Sequence, residues 1–172
     1  MYLYKTYFKE LMIKYGINKN SSETIILLPG LPYYPRPEKF IKNLIIKGFN
    51  VIYIRYSGTY ESEGLFLKED PAIMISKLIT YLKTNGTFIE LYANITHDLL
   101  SSKVIIIGNS FGGGVAFSIL KHNCGVDRLI ALSPVINSLE YYKMENKFEE
   151  AQKLKRFLLK GFKNIFRFEE SQ

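Results

Sequence analysis

Cysteine is nearly absent from this chain: Cys124 is the single thiol in 172 residues. No internal disulfide can form, which fits a reducing compartment. Histidine is almost as scarce, with only His97 and His122, and no spacing of a zinc site accompanies them. Tryptophan is missing, while 13 Tyr and 12 Phe carry the aromatic content, a bias with no functional reading. Long apolar runs are lacking at the start, where MYLYKTYFKELMIKYG scatters charge through its length. That pattern excludes a secretory signal or a membrane span there. The expected location is cytoplasmic.

What is present is the composition of one ordinary domain, with 47% hydrophobic and 23% charged residues, enough to bury a sizeable core. A net charge of +7 raises the question of nucleic acid, since lysine and arginine neutralise phosphates. The basic residues are scattered, however, and alternate with glutamates near the C-terminus. No helix-turn-helix or aromatic RNA-binding pattern joins them. Neither nucleic acid nor membrane is expected as a partner.

The chemistry concentrates in Lys103–Leu120, KVIIIGNSFGGGVAFSIL. Val104 to Ile107 is an unbroken apolar β-branched run, read as a central strand of a parallel sheet. Gly108-Asn109-Ser110-Phe111-Gly112 follows directly, and Val115, Ala116, Phe117, Ile119 and Leu120 continue as an apolar helix. Strand, G-x-S-x-G and helix together form a nucleophile elbow, in which Gly108 and Gly112 allow a strained turn and close backbone approach. Ser110 is thereby pushed out at the rim of the sheet.

Other elements follow from periodicity and punctuation. Tyr4 to Tyr15 places Phe8, Leu11, Met12 and Tyr15 at helical spacing, so residues 1–22 read as an N-terminal helix and link. Residues 23–137 form the sheet core. Thr24–Leu28 is a strand, Glu38–Lys47 a helix, Asn50–Tyr56 a strand, and Asp70 caps a helix that has Pro71 at its first position. Thr87–Leu100 is a short helix or a ribbon on the surface, and Asp127–Leu132 is a fourth strand. Beyond it, residues 138–172 form a helical segment, with Met144, Phe148, Ala151, Leu154, Leu158 and Phe162 recurring at intervals of three and four. The fold class is α/β: a mostly parallel sheet of at least four strands flanked by helices, with a long C-terminal helix.

Pro29-Gly30 follows one strand, and Tyr56-x-Gly58-x-x-x-Ser62-x-Gly64 follows the next. With the elbow, these make the chain resemble the N-terminal part of an α/β-hydrolase, near small esterase-like and peptidase-like serine hydrolases. The resemblance implies a partial α/β-hydrolase fold, a small acyl or peptide substrate, no cofactor and no metal. It implies acyl transfer through Ser110 and an oxyanion hole made by the backbone N–H groups of Leu31 and Phe111. It departs from the family pattern in two places: Pro29 stands where His often precedes the glycine, and Tyr60 where a second glycine is frequent. Tyr33 or Tyr34 would offer a second oxyanion donor, as in some related peptidases. Glu61 and Glu63 read as loop-shaping or solvated residues.

The triad is incomplete. Serine needs a base, and in this fold the acid and the histidine follow it. His97 precedes Ser110, and His122 lies about 12 residues beyond it, ~18 Å along a helix axis. Asp127 enters its strand at the far end of the sheet. A fragment of a longer hydrolase, a split enzyme completed by a second polypeptide, and a non-catalytic binding protein are all consistent with this. Without further strands, the Leu129 strand is an apolar edge that invites self-association or a second chain.

Overall fold

The structure, a computed structural model, describes residues 2–31, 37–136 and 165–169, together with Glu149, Lys153, Arg156, Phe157 and Lys160. The apolar runs form the middle of the sheet. Three strands, β3 (Glu23–Leu28), β4 (Asn50–Arg55) and β7 (Lys103–Asn109), pair in parallel, with β3 between the other two. The last strand, β8 (Arg128–Leu132), pairs in parallel with the outer side of β7.

The N-terminal helix expected from the spacing of Phe8, Leu11, Met12 and Tyr15 is not there. Instead, β1 (Tyr4–Phe8) and β2 (Leu11–Gly16) form an antiparallel hairpin, and β2 pairs antiparallel with β4. The sheet order is therefore β1-β2-β4-β3-β7-β8, and the sheet core takes in the segment read as helix and link. Over so few residues, an apolar interval of three or four fits a helix or a hairpin equally well. The free edge of β4 and the strand preference of Tyr4, Thr6, Tyr7, Phe8, Ile13 and Tyr15 decide the matter. Lys9, at the turn, takes φ 53°. Gly16 does not stop a helix; it lets Ile45 pack directly on the strand.

Helices cover both faces. On one face α1 (Glu38–Ile46) buries Ile41 and Ile45 against Ile25, Leu27, Val51 and Tyr53. On the other, α2 (Pro71–Thr84) and α3 (Phe111–Ile119) close over Ile26, Ile52, Ile54, Val104 and Ile106. Each such side chain, fully buried, contributes about 1.5–3 kcal/mol. Asp70 caps α2 as expected, its carboxylate accepting the Ala72 N–H at 2.9 Å with Pro71 in the first turn.

The uncertain stretch 87–100 is a ribbon: β5 (Thr87–Ile89) pairs antiparallel with β6 (Thr96–Asp98). It rests against β1, where Thr6 Oγ1 donates to the Ile89 carbonyl at 2.7 Å and Leu91 N–H to the Lys5 carbonyl at 2.8 Å.

The long C-terminal helix lies outside the described residues apart from the five single positions. Ile165–Glu169 is described and is not helical. It lies along the 57–66 loop, with a β-bridge between Thr59 and Phe166, Arg167 N–H donating to Gly58 at 2.8 Å and Phe66 N–H to Arg167 at 2.6 Å. The Arg167 guanidinium donates to the carbonyls of Tyr60 at 3.0 Å, Gly64 at 3.4 Å and Ser62. Phe166 is buried against Phe66 and stacks on Phe168.

Candidate active site at the carboxyl end of the sheet

The register Leu28↔Gly108 brings the segments leaving β3 and β7 side by side. Between β7 and α3, Ser110 adopts φ 51°, ψ −117°, a conformation that costs an L residue of order 1–3 kcal/mol and persists only where the surroundings impose it. They do so through the backbone. Ser110 N–H donates to Leu132 at 2.9 Å, and the Ser110 carbonyl accepts from Gly113 at 2.9 Å, Gly114 at 3.2 Å and Val135 at 3.1 Å. Ser110 itself is only partly buried.

Crowding explains the glycines. A Cβ on Gly108 would overlap the Gly112 carbonyl, and one on Gly112 would overlap the carbonyls of Leu28 and Pro29. A Cβ on Gly30 would stand 3.0 Å from Ser110 Cβ. The strand, the turn and the loop after β3 are thus in backbone-to-backbone contact. Leu31 follows that contact on one side, and Phe111 opens α3 on the other. Among the described residues, neither N–H has an acceptor, as expected for the first residue of a helix. Tyr33 and Tyr34 lie outside the described residues.

Beside α3, a cleft of about 330 Å³ is lined by Phe111, Val115, Leu67, Pro71, Val135 and Ile136 among others.

The structure brings no base to Ser110 among the described residues. His97 sits on β6 against the hairpin, its Nδ1 2.8 Å from Tyr15 Oη and its ring 4.2 Å from the Tyr4 ring centroid. Burial holds its pKa below the ordinary value, partly offset by the Glu90 carboxylate. The same enclosure pushes the Tyr15 hydroxyl well up, with the Glu90 charge adding to it. Tyr15 lies on β2, three strand spacings from β7, or about 14 Å. His122 is exposed in the turn beyond α3.

The acids are engaged elsewhere. Asp127 meets Lys83 at 2.6 Å and accepts Val104 N–H at 2.7 Å, at the amino end of β7, and these two contacts hold its pKa down. Glu61 pairs with Arg55 and Lys5. The Glu63 backbone carbonyl accepts the Gly58 N–H at 2.7 Å, and Glu63 itself is exposed. Tyr60 has φ 49°, the left-handed conformation that explains why glycine is frequent at this position of the loop. Among the described residues, no group of three His, Cys, Asp or Glu side chains is placed to hold a metal ion, and no helix is long and apolar enough to cross a membrane.

Two features escaped the sequence reading. One is the docking of Ile165–Glu169. The other is Tyr56, whose hydroxyl donates to the Pro29 carbonyl at 2.9 Å and whose ring meets Phe111 edge-on at 5.2 Å. Tyr56 stood inside the quoted Y-x-G segment, so its position was visible and its contacts were not.

No protein-family model matches the chain, and no curated protein is similar to it in sequence. Solved structures are. A CIB-like hydrolase from Thermoplasma acidophilum superposes with TM-score 0.59 at 21% identity, over 82% of this chain and 68% of that one. An alpha/beta hydrolase from Penicillium sp. sh18 gives 0.63 at 17%, over 94% and 56%. An esterase from Pyrococcus furiosus gives 0.63 at 20%, over 93% and 62%. This chain therefore spans between about half and two-thirds of the length of those proteins. Strand order, crossovers and superposition agree that this chain has the α/β-hydrolase fold.

Proposed function

We propose that the chain carries the nucleophile and oxyanion half of a serine hydrolase of esterase or peptidase type. Ser110 Oγ attacks the carbonyl carbon of an ester or amide, and the carbonyl π pair moves to oxygen. The resulting oxyanion lies between the N–H groups of Leu31 and Phe111, each worth a factor of about 100 to 1,000 in rate. The observation that carries this reading is the φ 51°, ψ −117° of Ser110 at a strand-to-helix turn, with Gly30 against it. The cleft beside Phe111 has Glu69, Asp70 and Ser118 in its lining, and its apolar part, Val115, Val135 and Ile136, suits an acyl group. The base and its orienting acid come from outside these residues, on a continuation of the chain or on a second polypeptide.

An enzyme of this type stripped of its base keeps about 10³–10⁴-fold acceleration over water. The 172-residue chain should therefore react slowly with a fluorophosphonate, faster as pH rises and without a plateau near neutrality, and Ser110→Ala should abolish the labelling. Absence of labelling at alkaline pH, or labelling that survives Ser110→Ala, overturns the proposal.

A second reading, a non-catalytic protein that binds a partner or a second copy, is favoured by β8. Ile130 and Leu132 are 46% and 51% exposed there, and no strand pairs beyond β8 among the described residues.

A further inference from the structure

We propose that Tyr56 is a positioning residue for the oxyanion hole, a single side chain that fixes both backbone segments supplying its N–H groups. Tyr56 is 1% exposed and follows the end of β4, directly beneath the two loops. Its hydroxyl donates to the Pro29 carbonyl at 2.9 Å. This orients the Pro29–Gly30 peptide and, through it, the next amide, Leu31 N–H. Its ring edge packs on Phe111 at 5.2 Å, at 87° between planes, and so holds the residue that supplies the second N–H.

The need for such a brace is visible in the loop itself. Pro29 lacks a side-chain donor, and Gly30 has no side chain to anchor it. Gly30 cannot acquire one, because Ser110 Cβ stands 3.0 Å from the place a Cβ would take. Among the described residues, the Pro29 carbonyl is held from outside the loop by a buried hydroxyl. Donors to an oxyanion act through placement, and a displacement of about 1 Å at a reacting centre costs on the order of 100-fold in rate.

The kinetic part of this inference rests on the Ser110 reading, whereas the structural part does not. Tyr56→Phe keeps the ring and removes the hydroxyl. Conformational exchange at the Gly30 and Leu31 amides, read by NMR relaxation dispersion, should rise severalfold, with exchange in β1 and β2 unchanged. Equal exchange in both proteins overturns the proposal, whatever the chain does as an enzyme. In parallel, the first-order rate of Ser110 acylation by p-nitrophenyl acetate should fall 10- to 100-fold with little change in the concentration giving half-maximal rate. A purely structural defect would lower the active fraction, not the rate per active site. If Ser110→Ala leaves acylation intact, the Ser110 reading fails while the exchange result still stands. If Tyr56→Phe does not fold, the wild-type chain decides: a slowly exchanging Tyr56 hydroxyl proton by NMR supports the brace, and one exchanging at solvent rates overturns it.

Discussion

The two sides of the sheet manage their polar groups in opposite ways. At the β1 side polar groups are paired: the ribbon bonds to Lys5 and Thr6, His97 is shared between Tyr15 and Tyr4, and Lys14 meets Glu38 at 2.8 Å. At the β7–β8 side the backbone is strained at Ser110, and apolar side chains face outward from β8. His97 is on the quiet side, and the partly buried Ser110 is on the strained one. Three strand spacings separate β2, which carries Tyr15, from β7, which leads into Ser110.

The largest expected difference between the sides lies in their glycines. Gly112→Val would drive a side chain into the Leu28 carbonyl, which cannot move without breaking the β3–β7 ladder; a loss of about 3 kcal/mol or more, or failure to fold, is expected. Gly16→Ala meets only side-chain atoms, of Ile45 and Leu3, and should cost about 1 kcal/mol or less. Urea unfolding of both variants compares them, and equal losses would erase the distinction. Next comes association. Ile130→Lys on β8 should weaken self-association severalfold in sedimentation at micromolar concentration, since an edge lysine opposes strand pairing. Tyr7→Lys on β1 should leave it unchanged, and the reverse pattern would place the sticky edge on the wrong side.

The smallest effect is a pH dependence confined to the hairpin side. Burial depresses the folded pKa of His97 below 6.5, with Tyr15, Tyr4 and Glu90 facing it. The unfolded chain therefore takes up the proton first. Stability should be full above about pH 6.5 and decline as pH falls from there toward the lowered folded value. Glu90 is held down by the N–H groups of Ala93 and Tyr92, and its contribution is lost only below its ordinary 4.5. Melting temperatures at pH 7.5 and 5.5 separate the two, and His97→Gln should flatten the difference without altering Ser110 labelling. A change in labelling would join the two sides that the geometry separates.

What the sequence disclosed was whatever short segments determine alone. Four consecutive β-branched residues before Ser110, the Asp70-Pro71 helix start and the strand at Thr24 all form where their residues predict, because neighbours a few positions away dictate them. The Tyr4–Tyr15 segment was misread because its partner, β4, lies some forty residues on and outweighs local spacing. The candidate site was half legible. Ser110, Gly108 and Gly112 stand in one motif, whereas the approach of Gly30 to Ser110, the reach of Tyr56 to Pro29 and the 82-residue separation of Tyr15 from His97 leave no periodic trace.

The clasp of Arg167 on the carbonyls of Tyr60, Ser62 and Gly64 joins positions more than 100 apart in sequence. On a ribosome, β3 and β4 can pair soon after they emerge, yet the loop between β4 and α2 cannot take its final form until the distant segment that carries Arg167 has been released. Until then the nascent chain leaves Phe66 without its ring contacts to Phe166 and Phe168, and maturation of that loop waits on a segment synthesised long after it.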